Sequence, residues 1–301
     1  MTVTDSSSFS VTQFSADFKK LADAIGAPYS ESTIQESLTT FEECFREGTV
    51  IWRTTNRPND VVNYRFYLRR RLDTVEMATK AGYLEPGNPM GRLATSWSAL
   101  FNGDTEQWCD FHPKIGLVKT WVHLKCRRLV DDVLAASEVP EAVRAHTQTF
   151  RRLGLEQVRF ASVDYDGASV NLYFTARGPL SESQAAQYTD LAQCGPPTEQ
   201  EFQDMRAFLS SQGFLFAVTM DYKTGEVKRV AFYANLPGKE LPAVNDRLKL
   251  FFTEAISHDK QHMRIVAWSY GVGDKKYMKA ESSYVGDFAT LLKDVGSPLL
   301  S

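Results

Sequence analysis

Residues Ser169–Arg177 read Ser-Val-Asn-Leu-Tyr-Phe-Thr-Ala-Arg. Val170, Leu172, Phe174 and Ala176 alternate with Ser169, Asn171, Tyr173, Thr175 and Arg177. A period of two marks a strand with one apolar face and one polar face. The polar face mixes an amide, a phenol ring and a cation, an odd composition for a surface that only meets water. Gln157–Asp164, just upstream, also reads as a strand. Tyr165-Asp166-Gly167 between them is a hairpin turn, so the two runs pair antiparallel.

The same unit recurs four times. Strand-like runs 50–54 and 62–70 flank Asn56-Arg57-Pro58-Asn59-Asp60, and 107–111 and 117–125 flank His112-Pro113-Lys114. Runs 215–221 and 227–235 flank Lys223-Thr224-Gly225, and 263–269 and 276–283 flank Gly271-Val272-Gly273. Between the hairpins lie segments of helical period: 11–25, 31–45, 72–81, 88–100, 129–137, 141–153, 181–191, 199–210, 243–255 and 287–295. In the first of these, Phe14, Phe18, Leu21, Ala22 and Ile25 form one stripe. Five hairpins spaced about 50 residues apart imply a repeat architecture. Adjacent strands run antiparallel, which excludes a parallel α/β barrel. The expected fold is α+β: a ten-stranded antiparallel barrel built from ααββ repeats. Closure removes the sheet edges, and the helices lie outside. Residues 1–10 are expected to be a disordered lead-in, with one barrel domain over 11–301.

The bulk properties narrow the partners. Thirty-four basic and 37 acidic side chains in 301 residues leave a formal charge of −3, with no electrostatic argument for nucleic acid. No run approaches the roughly 18 apolar residues of a membrane span. The opening residues lack the basic and apolar regions of a secretory signal, so a cytoplasmic protein is expected. Cys44, Cys109, Cys126 and Cys194 have no paired spacing and read as buried free thiols. His258 and His262 stand four apart but lack an evident third ligand, and Asp131-Asp132 read as solvated, so no metal site is expected.

Helices outside the barrel require the apolar strand faces to point outward and the polar faces inward. The inward set then contains Asn63, Arg65, Tyr67 and Arg69, followed by Lys119, Trp121, His123 and Lys125. Later strands add Asn171, Tyr173, Thr175 and Arg177, then Arg229, Tyr233 and Asn235, then Tyr277, Lys279, Glu281 and Ser283. Arg53 and Arg159 join from first strands with weaker alternation. One glutamate cannot balance so many buried cations, so a multiply charged anion is the expected guest, pyrophosphate above all. An open sheet with a solvated cationic face is the alternative that periodicity alone leaves.

Seven runs, taken in order, carry a resemblance. They are Trp52-Arg53-Thr54-Thr55, Val62-Asn63-Tyr64-Arg65-Phe66, Val118-Lys119-Thr120-Trp121, Val158-Arg159-Phe160-Ala161, Asn171-Leu172-Tyr173-Phe174, Arg229-Val230-Ala231-Phe232-Tyr233 and Lys279-Ala280-Glu281-Ser282-Ser283-Tyr284. Over nearly its whole length the chain resembles the soluble aromatic prenyltransferases of the ABBA type. The nearest branch includes the 4-hydroxyphenylpyruvate and dihydrophenazine prenyltransferases. The resemblance implies transfer of a dimethylallyl group from its diphosphate to a carbon of an aromatic small molecule. It implies that Arg53, Arg65, Lys119, Arg159, Tyr173, Arg229, Tyr233, Tyr277 and Lys279 hold the diphosphate, and that Glu281 contacts the acceptor and serves as base. Trp121 and His123 are the candidates for cation shielding and the acceptor pocket, with His123 an alternative base. Family members that need magnesium carry an aspartate where this chain has Asn63, so a metal-independent enzyme is expected, and a closed barrel gives no reason for more than a monomer. A non-catalytic barrel that binds an anionic ligand is the alternative, and a diphosphate hydrolase is a further one.

Overall fold

The computed structural model describes residues 9–100, 105–238 and 240–300. Its strands are β1 (Thr49–Thr55), β2 (Asn63–Tyr67), β3 (Glu106–His112), β4 (Gly116–Leu129), β5 (Gln157–Asp164), β6 (Ser169–Arg177), β7 (Gly213–Asp221), β8 (Val227–Asn235), β9 (Arg264–Gly271) and β10 (Lys275–Val285). Each pairs antiparallel with its neighbours in sequence, and β10 pairs with β1, so the ten strands close into a barrel. The closing register sets Arg53 against Glu281 and Thr55 against Lys279.

The outward faces are apolar and meet helices. On β1, Trp52 stacks on Phe14 with ring centroids 4.7 Å apart. Phe14 belongs to the helix Val11–Ala24, whose stripe of Phe14, Phe18, Leu21 and Ala22 is buried as its spacing requires. Ser10 caps that helix, accepting from the Gln13 N–H. Phe9 is buried and stacks on Phe45 at 5.5 Å, so Phe9 belongs to the packed core. Residues 1–8, the rest of the expected lead-in, lie outside the described residues. Where β10 leaves the barrel, Gly286 has φ +99°, and a Cβ there would lie 2.6 Å from the Gly48 carbonyl oxygen.

Several expected helices are shorter than their apolar spacing suggests. The segment 31–45 divides at Phe41 into Glu31–Thr40 and Glu42–Glu47, and 141–153 divides into Glu141–Arg144 and Thr147–Arg152. Apolar period reports which face is buried and does not register a bend of one or two residues. Asp131 is not simply solvated, because Arg151 pairs with it. Cys44, Cys109 and Cys194 are buried free thiols, but Cys126 is exposed. It sits where β4 bulges away from β5, between His123 and Arg128, and Lys125 there takes φ +63°.

The hairpin turns ring one end of the barrel, which is open. The other end is closed by the helix Phe288–Asp294 and the 3-10 turn Pro298–Leu300. No helix of the described residues is long and apolar enough to cross a membrane.

Candidate active site

The open end leads into a cavity of about 780 Å³. Arg53, Lys119, Arg229 and Lys279 reach into it from β1, β4, β8 and β10, alongside Tyr173 and Tyr277. Beneath lies a small apolar chamber of about 40 Å³, walled by Arg65, Trp108, Trp121, Tyr233 and Glu281 and floored by the C-terminal helix. Tyr173 borders both spaces. Alternation along the strands produces this layout. Each inward position steps down the lumen by two residues, about 6.6 Å, from a charged upper layer to an aromatic lower one.

Lys279 is 7% exposed and lies 3.3 Å from the Tyr233 hydroxyl. Burial, then Arg229, Arg53 and Lys119, hold its ammonium well below the usual lysine range. Arg229 donates to Thr219 Oγ1 at 3.1 Å, while its Nε finds no partner among the described residues. Lys119 pairs with Asp164 at 2.9 Å. Burial opposes ionisation of Asp164, but Lys119 and the Asn171 amide override it and lower its pKa. Tyr277 lies under Arg57, with the guanidinium 4.6 Å from the ring centroid. Asn63 lines the upper cavity directly across from Arg53.

Asp110 joins the upper and lower layers. Arg65 donates to both of its oxygens, the Nη2 bond measuring 3.0 Å. Arg53 stands 3.6 Å away, and the Trp121 indole N–H donates to Oδ1 at 2.8 Å. Burial works against the charge on Asp110, yet Arg65 and Arg53 hold its carboxyl below the usual range. Arg65 also donates to the Tyr67 hydroxyl at 2.7 Å and stacks 4.2 Å from the Trp121 ring. Glu281 is 6% exposed, and its Oε1 lies 3.6 Å from Arg65. Trp121 and Tyr173 pack with centroids 4.4 Å apart, and Tyr233 lies 6.1 Å from Tyr173. A carboxylate therefore borders a chamber otherwise walled mostly by rings and aliphatic groups.

Most of the residues expected at the site converge here, and Arg159 does not. Inward positions on β5 are Phe160 and Asp164, which line the lower and upper spaces. A register shift between Val158 and Phe160 leaves Arg159 out of phase. Its guanidinium donates to the Val295 carbonyl and packs against Gly296, tying β5 to the floor. Arg69 lies past the end of β2 and pairs with Asp294 at 3.2 Å. His123 lies low in the barrel, stacked on Trp108 at 5.1 Å, with Nδ1 3.1 Å from Glu106. Burial lowers its pKa more than Glu106 raises it, so the ring is held neutral.

Asp110, Asp164 and Trp108 are the site residues the sequence reading missed. The alternation Glu106-Trp108-Asp110 against Gln107-Cys109-Phe111 carried the signal for two of them. Their presence revises the charge count. Among the described residues, Arg53, Arg65, Lys119, Arg229 and Lys279 face Asp110, Asp164 and Glu281, five basic groups against three carboxylates, while Arg57, Lys228 and Lys275 and Asp60, Asp166 and Glu226 near the mouth add three of each sign. The excess is two positive charges with Lys279 protonated and one without its proton, less than the strands' cations alone suggested and still uncompensated.

Residues 9–296 match the family model described as aromatic prenyltransferase Orf2. An aromatic prenyltransferase of Arthroderma otae is 55% identical over 97% of this chain and 94% of its own length. The 4-hydroxyphenylpyruvate 3-dimethylallyltransferase of Streptomyces niveus is 36% identical over 94% of this chain and 88% of its own length. In fold, the chain is similar to NotF, solved in complex with brevianamide F and DMSPP, with a TM-score of 0.54. That likeness covers 88% of this chain and 91% of the other at 10% identity. Sequence match, closed ten-stranded barrel and a cationic lumen agree, and the chain belongs to the Orf2 family of aromatic prenyltransferases.

Proposed function

We propose that the protein, as a monomer, transfers a dimethylallyl group from dimethylallyl diphosphate to a ring carbon of an aromatic acceptor without a metal ion. The observation that carries this reading is the excess of basic groups over carboxylates at an aromatic chamber bordered by Glu281. Arg53, Lys119, Arg229 and Lys279, with Tyr173, Tyr233 and Tyr277, receive the diphosphate, and Arg65 supports it from below. As the C–O bond breaks, negative charge grows on the departing diphosphate, and fixed cations in a water-poor site stabilise that charge. Positive charge grows on the allyl fragment, which meets the faces of Trp121, Tyr173 and Tyr233. The rings keep water from capturing the cation.

The electron-rich acceptor ring attacks this fragment in a Friedel–Crafts step. A carbon–carbon bond forms, and Glu281 takes the proton that the ring carbon loses, as general base. Arg159 has no part in holding the diphosphate, since its guanidinium is engaged at the floor. The metal-free reading is supported by Asn63, whose amide stands at the upper cavity where a carboxylate would be needed for an ion. It is also supported by the pairing of Asp110, Asp164 and Glu281 with resident cations. The relative that acts on 4-hydroxyphenylpyruvate supports an acidic single-ring phenol as acceptor, with dihydrophenazine carboxylate and dihydroxynaphthalene as the other candidates.

The test is incubation with dimethylallyl diphosphate and these aromatics in EDTA, read by mass spectrometry. The expected product is heavier by one prenyl unit. Activity only on adding magnesium would overturn the metal-free step. Tight diphosphate binding with no product would favour a ligand-binding barrel, and prenyl alcohol alone would mark a hydrolase.

A further inference from the structure

The lumen floor has open space on both sides. Leu299, on the 3-10 turn Pro298–Leu300, walls the lower chamber together with Leu292 and Glu281. The same residue walls a second cavity of about 260 Å³ outside the barrel base, beside Phe208, Phe214 and Pro237. Tyr233 also borders both spaces, but it is fixed on β8 and engaged by Lys279. Leu299 stands instead on a short turn entered through Gly296, which has φ +56°. The turn is braced locally: the Leu299 N–H donates to Ser297 Oγ at 3.3 Å, and the Leu300 N–H to the Ser297 carbonyl at 3.2 Å. The outer cavity is several times larger than the 40 Å³ chamber above it.

We propose that Leu299 determines acceptor size. Its side chain, with the fixed Tyr233, partitions chamber from outer cavity, and among the candidate acceptors it favours those with a single ring beneath the prenyl group. Shortening it joins the two spaces and admits fused-ring acceptors. The inference rests on the prenyl-transfer reading, which seats the acceptor in the lower chamber beside Glu281. An apolar wall discriminates by size alone, and a single methylene more or less changes discrimination on the order of 10- to 200-fold.

The test compares wild type, Leu299→Ala and Leu300→Ala in the presence of dimethylallyl diphosphate. Leu300 is 41% exposed and lines only the outer cavity, so it serves as the control. Binding of 4-hydroxyphenylpyruvate and of dihydroxynaphthalene is followed by quenching of Trp108 and Trp121, and turnover is measured in parallel. In Leu299→Ala, the preference for the fused-ring compound should rise at least about 10-fold, with the KM for the diphosphate unchanged. Leu300→Ala should behave as wild type. An unchanged preference, an equal change in both variants, or binding of neither aromatic would overturn the proposal. A shifted binding preference without any prenylated product would overturn the transfer reading and leave the partition standing. Should the alanine variant fail to fold, Leu299→Val carries the same comparison with a smaller shift.

Discussion

Replacing Asp110 by Asn removes one negative charge and keeps the side-chain shape. Asp110 is 1% exposed, 3.0 Å from Arg65 Nη2 and 3.6 Å from Arg53 Nη1. At an effective dielectric constant near 20, pairs at those separations attract by about 5.5 and 4.6 kcal/mol. Desolvation offsets much of that attraction, so the measurable quantity is the cost of leaving buried cations short of their partner, about 3–5 kcal/mol. Arg65 retains Glu281 at 3.6 Å, which puts the expected loss near the lower end, about 3 kcal/mol. The substitution also raises the positive excess of the lumen by one charge. Inorganic pyrophosphate should therefore bind the variant more tightly and restore more stability to it than to wild type, since a ligand stabilises by RT ln(1 + [L]/Kd). Urea unfolding of both proteins, with and without pyrophosphate, measures both effects. A loss below about 1 kcal/mol would show that Arg65 keeps its place without Asp110, against the buried-pair argument. A smaller pyrophosphate gain in the variant would refute the charge count.

Lys279 predicts a pH dependence. Its pKa is depressed in the free protein, and a diphosphate beside it favours the charged form, so binding takes up a proton and affinity falls as pH rises through the free-state value. The unfolded chain holds that proton where the folded one does not, so the unliganded fold gains stability as pH rises from the depressed value toward the ordinary one. Calorimetry in two buffers of different ionisation heat reads the uptake, and Lys279→Met should reduce it to what Lys119, whose pKa burial also lowers, contributes; equal uptake in both proteins would exclude Lys279. Glu281→Gln should lower kcat about 10²- to 10⁴-fold without weakening pyrophosphate binding. Unimpaired turnover in that variant would remove Glu281 from the chemistry.

The barrel was legible because outward faces packed under helices and inward faces lined with charge give the same strict alternation on strand after strand, as β6 shows. The cations of β4, β8 and β10 follow from that pattern. It failed where backbone irregularity breaks the phase. Arg159 follows a register shift, and nothing in Val158-Arg159-Phe160 announces that its side chain leaves the lumen. Asp110 sits in a short run whose alternation is blurred by Trp108 on its own face and Gln107 on the other. The floor was illegible for another reason. The helical period of 287–295 declares a buried face without saying that a barrel end is what it covers, and Pro298–Leu300 is too short to carry a period.

Closure of the barrel has a consequence for how the protein is made. Thr49 Oγ1 bonds the Gly286 carbonyl at 2.7 Å across 237 residues of chain, and Glu281 lies opposite Arg53 in the seam. Contacts so distant in sequence cost loop entropy before they return any stabilisation, which makes folding slow. While a nascent chain awaits its last hairpin, β1 and β8 present unpaired edges, and the inward cations stand without Glu281. Such an intermediate is open to edge-to-edge association.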